Sequence, residues 1–519
     1  MGNKKYLLFA LLLLVIPSVW ALFLPGIFES DDGEWMVIRF SAFFQAFADG
    51  QFPVRFLGRL NNGFGYPVAN FLYPGFMYFG IPIHLAGLNF VNTIKAIFVF
   101  SMIGSGIFSY FWLSKLFDKV SSFFGALYFV YAPYHIFDLY KRGSIGELLA
   151  IAILPFILWQ AERKSLFWTT IGISSLILSH NTLAVLFLAV IVLYFLLEIL
   201  ISKDKRDLIY RHGSELFLGL GLSSFFWVPA VFDLQYTVFS QTKVSDWAKY
   251  FSDLNLVGTS TIIIFVTILI LFVTKKVKPS KHRLTILLFL IGLISIFFAL
   301  PISSILWKTL PVSFIQFPFR MLSVVILCSS FLFAFILSLV PFKNKVIIGF
   351  LIILLTFLSS KAFLFPKDFS NAPDSIYSTN EATTTVQDEY MPKWVIRKPE
   401  NHFSEKVKFL GGKGEIQNLI YNSKKISFDQ QALIASKVRI NTIYYPGWEA
   451  SLNGNRARID FSNELGVMDL DLPAGKNKVV FSFKETPLRL AADYISIFSA
   501  ILLLFYDRKL LFKLLKLKK

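Results

Sequence analysis

Three carboxylates lie within four residues just after the first apolar segment of the chain. They are Asp31, Asp32 and Glu34, in the string SDDGEW. Acidic residues are scarce here, because the sequence has 33 of them against 51 basic residues and a formal net charge of +18. An acidic cluster beside a membrane-spanning helix is costly unless water solvates it or the protein uses it. Two interpretations stay open: acids that offset a helix dipole, or a general base, acceptor-orienting group or metal ligand.

A second polar string, YKRGS, contains Lys141 and Arg142 and is followed by Glu147. The topology given below places it at an outer helix end, where the loop-charge rule does not require cations. A guanidinium group binds phosphate oxygens bidentately, so these cations are candidates for holding a phosphate leaving group. The alternative is a local Arg–Glu pair, with the long side chains extended to the membrane interface.

Two further polar residues interrupt apolar runs. His180 is either a hydrogen-bonded structural residue or a ligand for phosphate or sugar, and no second histidine lies nearby at metal-ligand spacing. Arg320, in the string QFPFR, is unfavourable at a helix entry unless it is paired, and we expect a phosphate or carboxylate partner. Cys328 is the single cysteine, which excludes a disulfide framework and a cysteine metal site. No cofactor is expected, although a divalent cation at the aspartate cluster is an alternative.

The sequence contains neither a Walker A pattern nor a dinucleotide fingerprint that opens a helix. Nucleotide-driven chemistry is therefore not supported. An energy source at the outer face would have to be carried in the membrane, as a polyprenyl-phosphate sugar is. Transfer from such a donor needs a carboxylate near the acceptor hydroxyl, to remove its proton as the anomeric carbon is attacked.

Composition identifies the class of protein that must position these residues. The chain has 519 residues, of which 55% are hydrophobic and 16% charged, whereas soluble domains are about 25% charged. This composition is typical of a polytopic membrane protein. Apolar runs of about 20 residues predict twelve transmembrane helices, at about 6–24, 93–114, 120–139, 146–161, 165–180, 182–201, 214–232, 257–274, 284–302, 319–340, 345–364 and 489–506.

The charged loops fix the predicted orientation. With a cytoplasmic N-terminus, every inside connection and the C-terminal tail is basic, as the positive-inside rule requires. Counting 70–90 as a span would invert this pattern, so we place that stretch on the membrane surface. The basic excess lies in these short loops, which argues against a nucleic-acid partner. The protein is predicted to be in a bacterial or archaeal cytoplasmic membrane with both termini inside.

The last outer segment differs in kind from the others. It is polar and contains alternating strand-like runs, with Asn453-Gly454 as a strong hairpin signal. We predict a β-sandwich-like extracytoplasmic domain. The predicted organisation is a transmembrane domain at 1–364 with a long first outer loop at 25–92, a β-rich domain at 365–488, and a final helix with a basic cytoplasmic tail at 489–519.

These features together resemble the GT-C superfamily of integral membrane glycosyltransferases. Within it, the chain is similar to the bacterial membrane proteins labelled "6-pyruvoyl-tetrahydropterin synthase related" and to membrane glycosyltransferases that decorate lipoteichoic acid. The resemblance covers nearly the whole chain and is carried by the strings SDDGEWMVIRF, NNGFGYPVANFLYP, YHIFDLYKRGSIGELLAIAILPF, LSHNTL, FPFR, YYPGWEASLNG and LPAGKNKVVFSF.

The resemblance implies a lipid-linked sugar donor, an extracytoplasmic active site, and inverting transfer to a cell-envelope acceptor. It places the catalytic aspartate of the first outer loop at Asp32 and its arginine at Arg39, whereas Met36 occupies the position of an expected histidine. We expect Asp31 and Glu34 to support Asp32. Lys141, Arg142, His180 and Arg320 are expected to bind the donor phosphate, and Arg39, Tyr66 and Glu147 to line the outer cavity. The alternatives are a transporter or flippase of a lipid-linked saccharide and a non-catalytic envelope-assembly protein.

Overall fold

The computed structural model of the chain describes residues 2–241, 247–278, 282–310 and 315–506. Most of these residues are helical, since a helix satisfies its own backbone hydrogen bonds, as a bilayer requires. In chain order the helices are α1 Gly2–Val19, α2 Gly33–Ala48, α3 Gly75–Leu85, α4 Phe90–Leu116, α5 Lys119–Tyr131, α6 Pro133–Phe137, α7 Ile145–Glu162, α8 Leu166–Ser179, α9 Asn181–Ile201, α10 Lys205–Leu222, α11 Ser224–Asp233, α12 Leu254–Val257, α13 Thr259–Val273, α14 Arg283–Ala299, α15 Ser304–Thr309, α16 Leu322–Ser338, α17 Phe342–Leu364, α18 Asp374–Thr379 and α19 Pro487–Tyr506.

The chain is a multi-pass membrane protein. Within the described ranges, seven helices are long and apolar enough to cross a bilayer: Lys5–Phe23, Phe90–Leu116, Ile145–Glu162, Asn181–Ile201, Pro318–Ser338, Phe342–Leu364 and Pro487–Tyr506. The count rises to nine if each of two bent helix pairs is one span. These pairs are Lys205–Leu222 with Ser224–Tyr236, bent by 65°, and Arg283–Ala299 with Pro301–Thr309, bent by 82°.

A helix lies at each of the twelve predicted spans, but three of these helices are short. Helices α5, α8 and α13 have 13, 14 and 15 residues, fewer than the roughly 20 that cross the hydrocarbon core. They account for the difference between the nine possible spans and the twelve predicted ones. Helix α3 has 11 residues and is too short to cross, at about 1.5 Å per residue. The basic C-terminal tail lies outside the described residues, and the orientation stays a prediction.

The predicted C-terminal β domain is present and precedes α19. Its strands are β3 Val407–Gly411, β4 Gly414–Tyr421, β5 Lys425–Ala432, β6 Ser436–Ile443, β7 Trp448–Leu452, β8 Asn455–Ala457, β9 Val467–Leu472 and β10 Gly475–Phe483; an earlier pair is β1 Ile27–Phe28 and β2 Phe369–Ser370. The strands form antiparallel sheets in the orders β4-β5-β10-β7-β8 and β3-β6-β9. Buried side chains of both sheets belong to one hydrophobic core, as in a sandwich.

The hairpin predicted at Asn453-Gly454 is confirmed. Both residues have positive φ, +51° and +86°, and they connect β7 to β8. Two consecutive positive φ angles are the signature of a type I′ turn, whose twist matches that of the flanking strands.

The long first segment is bound to the chain that follows α17. Strands β1 and β2 pair antiparallel, with Ile27 opposite Ser370 and Phe28 opposite Phe369. Helix α2 is largely buried and packs against α4 and α18, so other parts of the protein cover much of its surface. We call the side of the helix bundle where α17 ends and α19 begins the β-domain end.

A buried ion pair joins the β domain to the helices. Arg489, at the start of α19, donates to Oδ2 of Asp233 from Nε (2.9 Å) and from Nη2 (2.8 Å), and to the carbonyl of Pro446 from Nη1 (2.8 Å). Asn70 donates to the same Asp233 oxygen at 2.9 Å, and the guanidinium lies 5.0 Å from the ring centroid of Tyr445. Three separate segments and the β domain thus share one buried carboxylate.

Asp233→Leu is expected to destabilise this junction by about 3–5 kcal/mol, because it leaves Arg489 buried and without its counter-ion. The double variant Asp233→Leu/Arg489→Met is expected to recover part of that loss. Limited proteolysis of the purified protein measures the effect as faster cleavage between α17 and α19. Equal cleavage rates for the wild type and Asp233→Leu would mean that the Asp233–Arg489 ion pair does not stabilise the junction between the β domain and the helices.

Lys406 is buried between the β domain and the first segment. Its ammonium group donates to the carbonyls of Gly63 (3.0 Å) and Asn441 (2.7 Å). Desolvation by burial lowers the pKa of Lys406 to about 7, against a smaller upward effect of Glu381. An unfolded lysine keeps its proton to about pH 10.4. Between these values the unfolded chain binds more protons, so folding stability rises with pH.

We therefore expect Lys406→Met to flatten the pH dependence of unfolding. In the wild type this residue contributes up to about 1.4 kcal/mol per pH unit between pH 7 and 10, and the contribution levels off at its least favourable value below pH 7. Thermal unfolding of both proteins from pH 6 to 10 measures the difference in slope. Lys408→Met, which changes an exposed lysine two residues later in β3, is the control and should keep the wild-type slope. Identical slopes in wild type and Lys406→Met would contradict the prediction.

Candidate active site

A close backbone contact brings the two polar strings of the sequence together. The amide of Asp31 donates to the carbonyl of Lys141 (3.0 Å), and that of Asp32 to the carbonyl of Arg142 (2.9 Å). The π-helical turn Asp138–Arg142 ends at Gly143, whose φ is +62°. A Cβ atom on Gly143 would lie 2.3 Å from Oγ of Ser30. Glycine is therefore required here both by its backbone angle and by the close approach.

The two aspartates face the two cations. Oδ2 of Asp32 lies 3.3 Å from Nη2 of Arg142, and Oδ1 of Asp31 lies 3.3 Å from Nζ of Lys141. The Asp31–Lys141 pair is exposed, whereas the side chain of Arg142 is 5% exposed and that of Asp32 is 35% exposed. Asp32 precedes α2, yet its carboxylate makes no capping hydrogen bond to that helix. A half-exposed carboxylate held by a buried cation can still reach a ligand.

Glu147 lies at the centre of the cluster and is fully buried. Its Oε1 accepts from Nε of Arg320 at 2.8 Å and lies 3.5 Å from Nη2 of Arg142. Its Oε2 accepts from the hydroxyl of Tyr134 at 2.9 Å. One carboxylate thus balances two buried guanidinium groups from different segments of the chain. Arg320 was expected to have a phosphate or carboxylate partner, and the structure pairs it with Glu147, which the resemblance placed in the lining of the outer cavity.

Aromatic rings cover the two guanidinium groups. The ring centroid of Phe319 lies 4.9 Å from Arg142, and that of Phe317 lies 4.7 Å from Arg320 and 5.2 Å from Arg142. Such cation–π contacts strengthen when water is excluded. The short segment before α16 therefore supplies both a cation and its aromatic cover.

The two ring nitrogens of His180 make different contacts, one with the backbone of α9 and one with the charged cluster. Nδ1 accepts a hydrogen bond from the amide of Leu183 (3.2 Å) and caps α9, whereas Nε2 lies 3.8 Å from Oε1 of Glu147. The ring centroid of Tyr73 lies 4.8 Å away. A nitrogen that accepts an amide proton does not itself carry one, so the capping interaction leaves His180 with a neutral ring whose Nε2–H faces the cluster.

Three predicted site residues bind elsewhere. Glu34 accepts from the hydroxyl of Tyr377 in α18 at 3.3 Å. Arg39 donates from Nε to the hydroxyl of Thr384 (2.9 Å) and from Nη2 to the carbonyl of the same residue. Its Nη1 lies 3.5 Å from Sδ of Met36. Tyr66 contacts the hydroxyl of Thr385 at 2.9 Å and accepts from the amide of Tyr390 at 3.0 Å. These side chains bind the segment that leads into the β domain, and none of them makes a hydrogen bond to Glu147 or Asp32 among the described residues.

Sequence reasoning missed Asp138. It is fully buried, and neither of its carboxylate oxygens has a hydrogen-bond partner among the described residues; the same holds for Nε of Arg142. Buried polar groups are rarely left unpaired unless water or a ligand completes them. The signal was available, because Asp138 falls inside a predicted span, where an acidic residue is itself a sign of function. Tyr134, the partner of Glu147, lies in the same string.

Metal binding at the aspartate cluster is not favoured by its donor set. Each of the carboxylates of Asp31 and Asp32 faces a cation, and a divalent ion would have to compete with it. Over the ranges that the structure covers, no three His, Cys, Asp or Glu residues are grouped so as to hold a metal ion. Metal dependence stays an open prediction.

No protein family matches the sequence, and no curated protein does. Among solved structures, the chain is similar to the mycobacterial arabinofuranosyltransferase AftD, with TM-scores of 0.44 and 0.47 and 15% identity. It is also similar to the oligosaccharyltransferase AglB of Archaeoglobus fulgidus in complex with an inhibitory peptide and a dolichol-phosphate, with a TM-score of 0.41 and 12% identity.

These alignments cover only part of the other proteins. They include 70% and 72% of this chain but 26% and 29% of the AftD chains, and 74% of this chain but 57% of AglB. The chain thus spans about a quarter of the one and just over half of the other. The likeness concerns the fold, and the activities named for those enzymes are theirs.

Proposed function

We propose that the protein is a membrane glycosyltransferase of the GT-C type, related to the "6-pyruvoyl-tetrahydropterin synthase related" and lipoteichoic-acid-glycosylating membrane proteins. In this proposal it transfers a sugar from a polyprenyl-phosphate donor to a cell-envelope acceptor. The observation that carries the proposal is the cluster of Asp32, Arg142, Glu147, His180 and Arg320, drawn from four distant segments. Burying several ionised groups together costs free energy, and such clusters concentrate at functional sites.

The location of the cluster supports a lipid-linked donor. The turn Asp138–Arg142 packs against α17, and the ring of Phe137 lies 5.3 Å from that of Phe363, at the last turn of this helix. The cluster therefore lies at the β-domain end, where spanning helices terminate. A headgroup carried by a lipid reaches that depth while its polyprenyl chain stays in the bilayer. We assign this end to the extracytoplasmic face.

Each group has a step in the proposed transfer. Asp32 takes the proton from the acceptor hydroxyl, and the oxygen attacks the anomeric carbon of the donor sugar. The bond from that carbon to the phosphate oxygen breaks, and the lipid phosphate leaves with the electron pair. Arg142, with Lys141 at the rim and Arg320 behind it, offsets the charge that develops on the leaving phosphate. Direct attack inverts the anomeric centre.

Glu147 limits how much positive charge the site offers. It already occupies Nε of Arg320 and faces Arg142, so we assign it to holding the guanidinium groups in place. The Nε–H of Arg142, which is buried and has no partner among the described residues, is one donor left for a phosphate oxygen. His180 contributes through its Nε2–H face.

Transfer by the reconstituted protein tests the proposal. Vesicles with purified protein receive radiolabelled polyprenyl-phosphate hexoses and pentoses, and envelope glycans and glycolipids from bacteria serve as acceptors. Protein-dependent label in the acceptor fraction supports a transferase. Movement of intact donor across the bilayer without transfer would identify a flippase instead, and neither result in any donor–acceptor pair would favour a non-catalytic assembly protein.

A further inference from the structure

A cavity lies away from the charged cluster, between the first segment and the β domain. It measures about 270 Å³ and is formed by residues from 42–63 on one side and from 381–448 on the other. This volume is close to the lower end of the range of small-ligand pockets, about 300–1,000 Å³. Its lining combines polar groups with the aromatic rings of Phe403, Tyr421 and Trp448.

Two residues that line the cavity carry buried polar atoms with no hydrogen-bond partner in the part of the chain that the structure describes. Trp448 and Thr442 are each 3% exposed, and both line the cavity. The indole Nε1 of Trp448 and the hydroxyl of Thr442 have no hydrogen-bond partner among the described residues. A buried donor left unpaired costs about 1–3 kcal/mol. Two such atoms in residues that line one cavity favour a ligand that supplies the missing hydrogen bonds.

Other residues of the lining are exposed or charged. Tyr421 is 49% exposed, and Asn422 beside it is exposed as well. The carboxylates of Asp49 and Glu381 also line the cavity. Ligand pockets usually combine aromatic and apolar surface, which contributes affinity, with a few polar groups, which fix the orientation of the ligand. The lining of this cavity has both.

The charges of the cavity argue against an anionic ligand. The ammonium group of Lys406 donates hydrogen bonds to the carbonyls of Gly63 and Asn441. Arg59 donates to the carbonyls of Asn380 (3.1 Å), Ser378 and Tyr377 (3.2 Å). These two cations thus bind the protein's own carbonyls. Oδ2 of Asp49 accepts from the amide of Ser423 (2.9 Å), and Oε2 of Glu381 lies 2.8 Å from Nδ1 of His402, so the second oxygen of each carboxylate is the acceptor left for a ligand. A ligand with many hydroxyl groups can donate to those carboxylates and accept from the indole N–H.

We propose that this cavity binds a neutral saccharide unit of a glycan, with Tyr421 against the apolar face of the sugar ring and Trp448 and Thr442 as hydrogen-bond partners of its hydroxyls. The binding involves no covalent step and does not depend on the transfer chemistry proposed for the charged cluster. A chain that occupies this cavity would be held at the β-domain end of the protein.

Calorimetric titration of the full-length protein tests the proposal. The protein is kept in lauryldimethylamine oxide, because maltoside detergents would themselves present sugars. The probes are neutral trisaccharides of glucose, galactose, mannose and N-acetylglucosamine, with a hyaluronan tetrasaccharide as the anionic counterpart. We expect at least one neutral probe to bind.

Three variants locate the binding in the cavity. Tyr421→Ala is expected to weaken binding by at least about tenfold, and Thr442→Val by about threefold to tenfold. Ile420→Ala changes the adjacent exposed residue, which points to the other face of the strand, and should bind as the wild type does. The proposal is overturned if no neutral probe binds, if only the anionic probe binds, or if Tyr421→Ala binds as tightly as Ile420→Ala.

Discussion

Asp32→Asn is expected to lower the rate of sugar transfer by at least about a hundredfold, the usual range for loss of a general base. Asparagine has the size of aspartate, and its amide oxygen can still accept from Arg142. It cannot take the proton of an acceptor hydroxyl. The variant should therefore express and fold as the wild type does, and retain donor binding. Transfer of label from a polyprenyl-phosphate sugar measures the rate.

Asp31→Asn is the matched control for this experiment. Asp31 is the adjacent residue and also faces a cation, Lys141, but its pair is exposed, and exposed pairs contribute about 0–1 kcal/mol. We expect transfer within about threefold of the wild-type rate for Asp31→Asn. If both variants lost activity equally, the transfer would depend on both aspartates, and the general base could not be assigned to Asp32 alone. Full activity in Asp32→Asn would remove it as the base.

The helices were predictable from sequence because each apolar run must satisfy its backbone internally. The number of full spans was not, since the apolar length of a run says nothing about where a helix breaks. Pro133 separates α5 from α6 inside the predicted span 120–139, and proline ends a helix at the residue before it. The short helix α5 results from a breaker within a run whose composition remains that of a membrane span.

Strands in the β domain were predictable only where their apolar residues alternate. The run that forms β10, Gly475–Phe483, shows that alternation and lies in the segment predicted to be β-rich. Strand β4 is exposed along nearly its whole length, as an outermost strand of its sheet, and its sequence carries no buried face to detect. Its position depends on pairing with β5, which local sequence does not encode.

The residues of the charged cluster were proposed one by one from their types and their cost in a membrane. What sequence could not provide is their pairing. Glu147 and Arg320 are 173 residues apart, and Arg39 and Thr384 are 345 apart. The resemblance that placed Arg39 beside Asp32 could not show that the segment before the β domain binds it. Asp138 was missed since it lies within an apolar run that was read only for its length.

Glu147→Gln is expected to destabilise the protein by about 3–5 kcal/mol, the cost of removing one member of a buried ion pair. Glutamine keeps the shape and can still accept from Tyr134, but it leaves Arg142 and Arg320 close together without the carboxylate that separates them. Thermal unfolding in detergent should show a fall of several degrees in Tm. Asp31→Asn, which breaks an exposed pair of the same cluster, is expected to leave Tm nearly unchanged.

The double variant Glu147→Gln/Arg320→Gln separates charge balance from local packing. Removing one cation with the carboxylate leaves Arg142 with Asp32, so part of the lost stability should return, and the two changes should not be additive. Additive losses would show that Glu147 and Arg320 act independently, against the 2.8 Å contact between them. A wild-type Tm for Glu147→Gln would mean that the buried carboxylate does not balance the two guanidinium groups, and the assignment of Glu147 to holding them in place would fail with it.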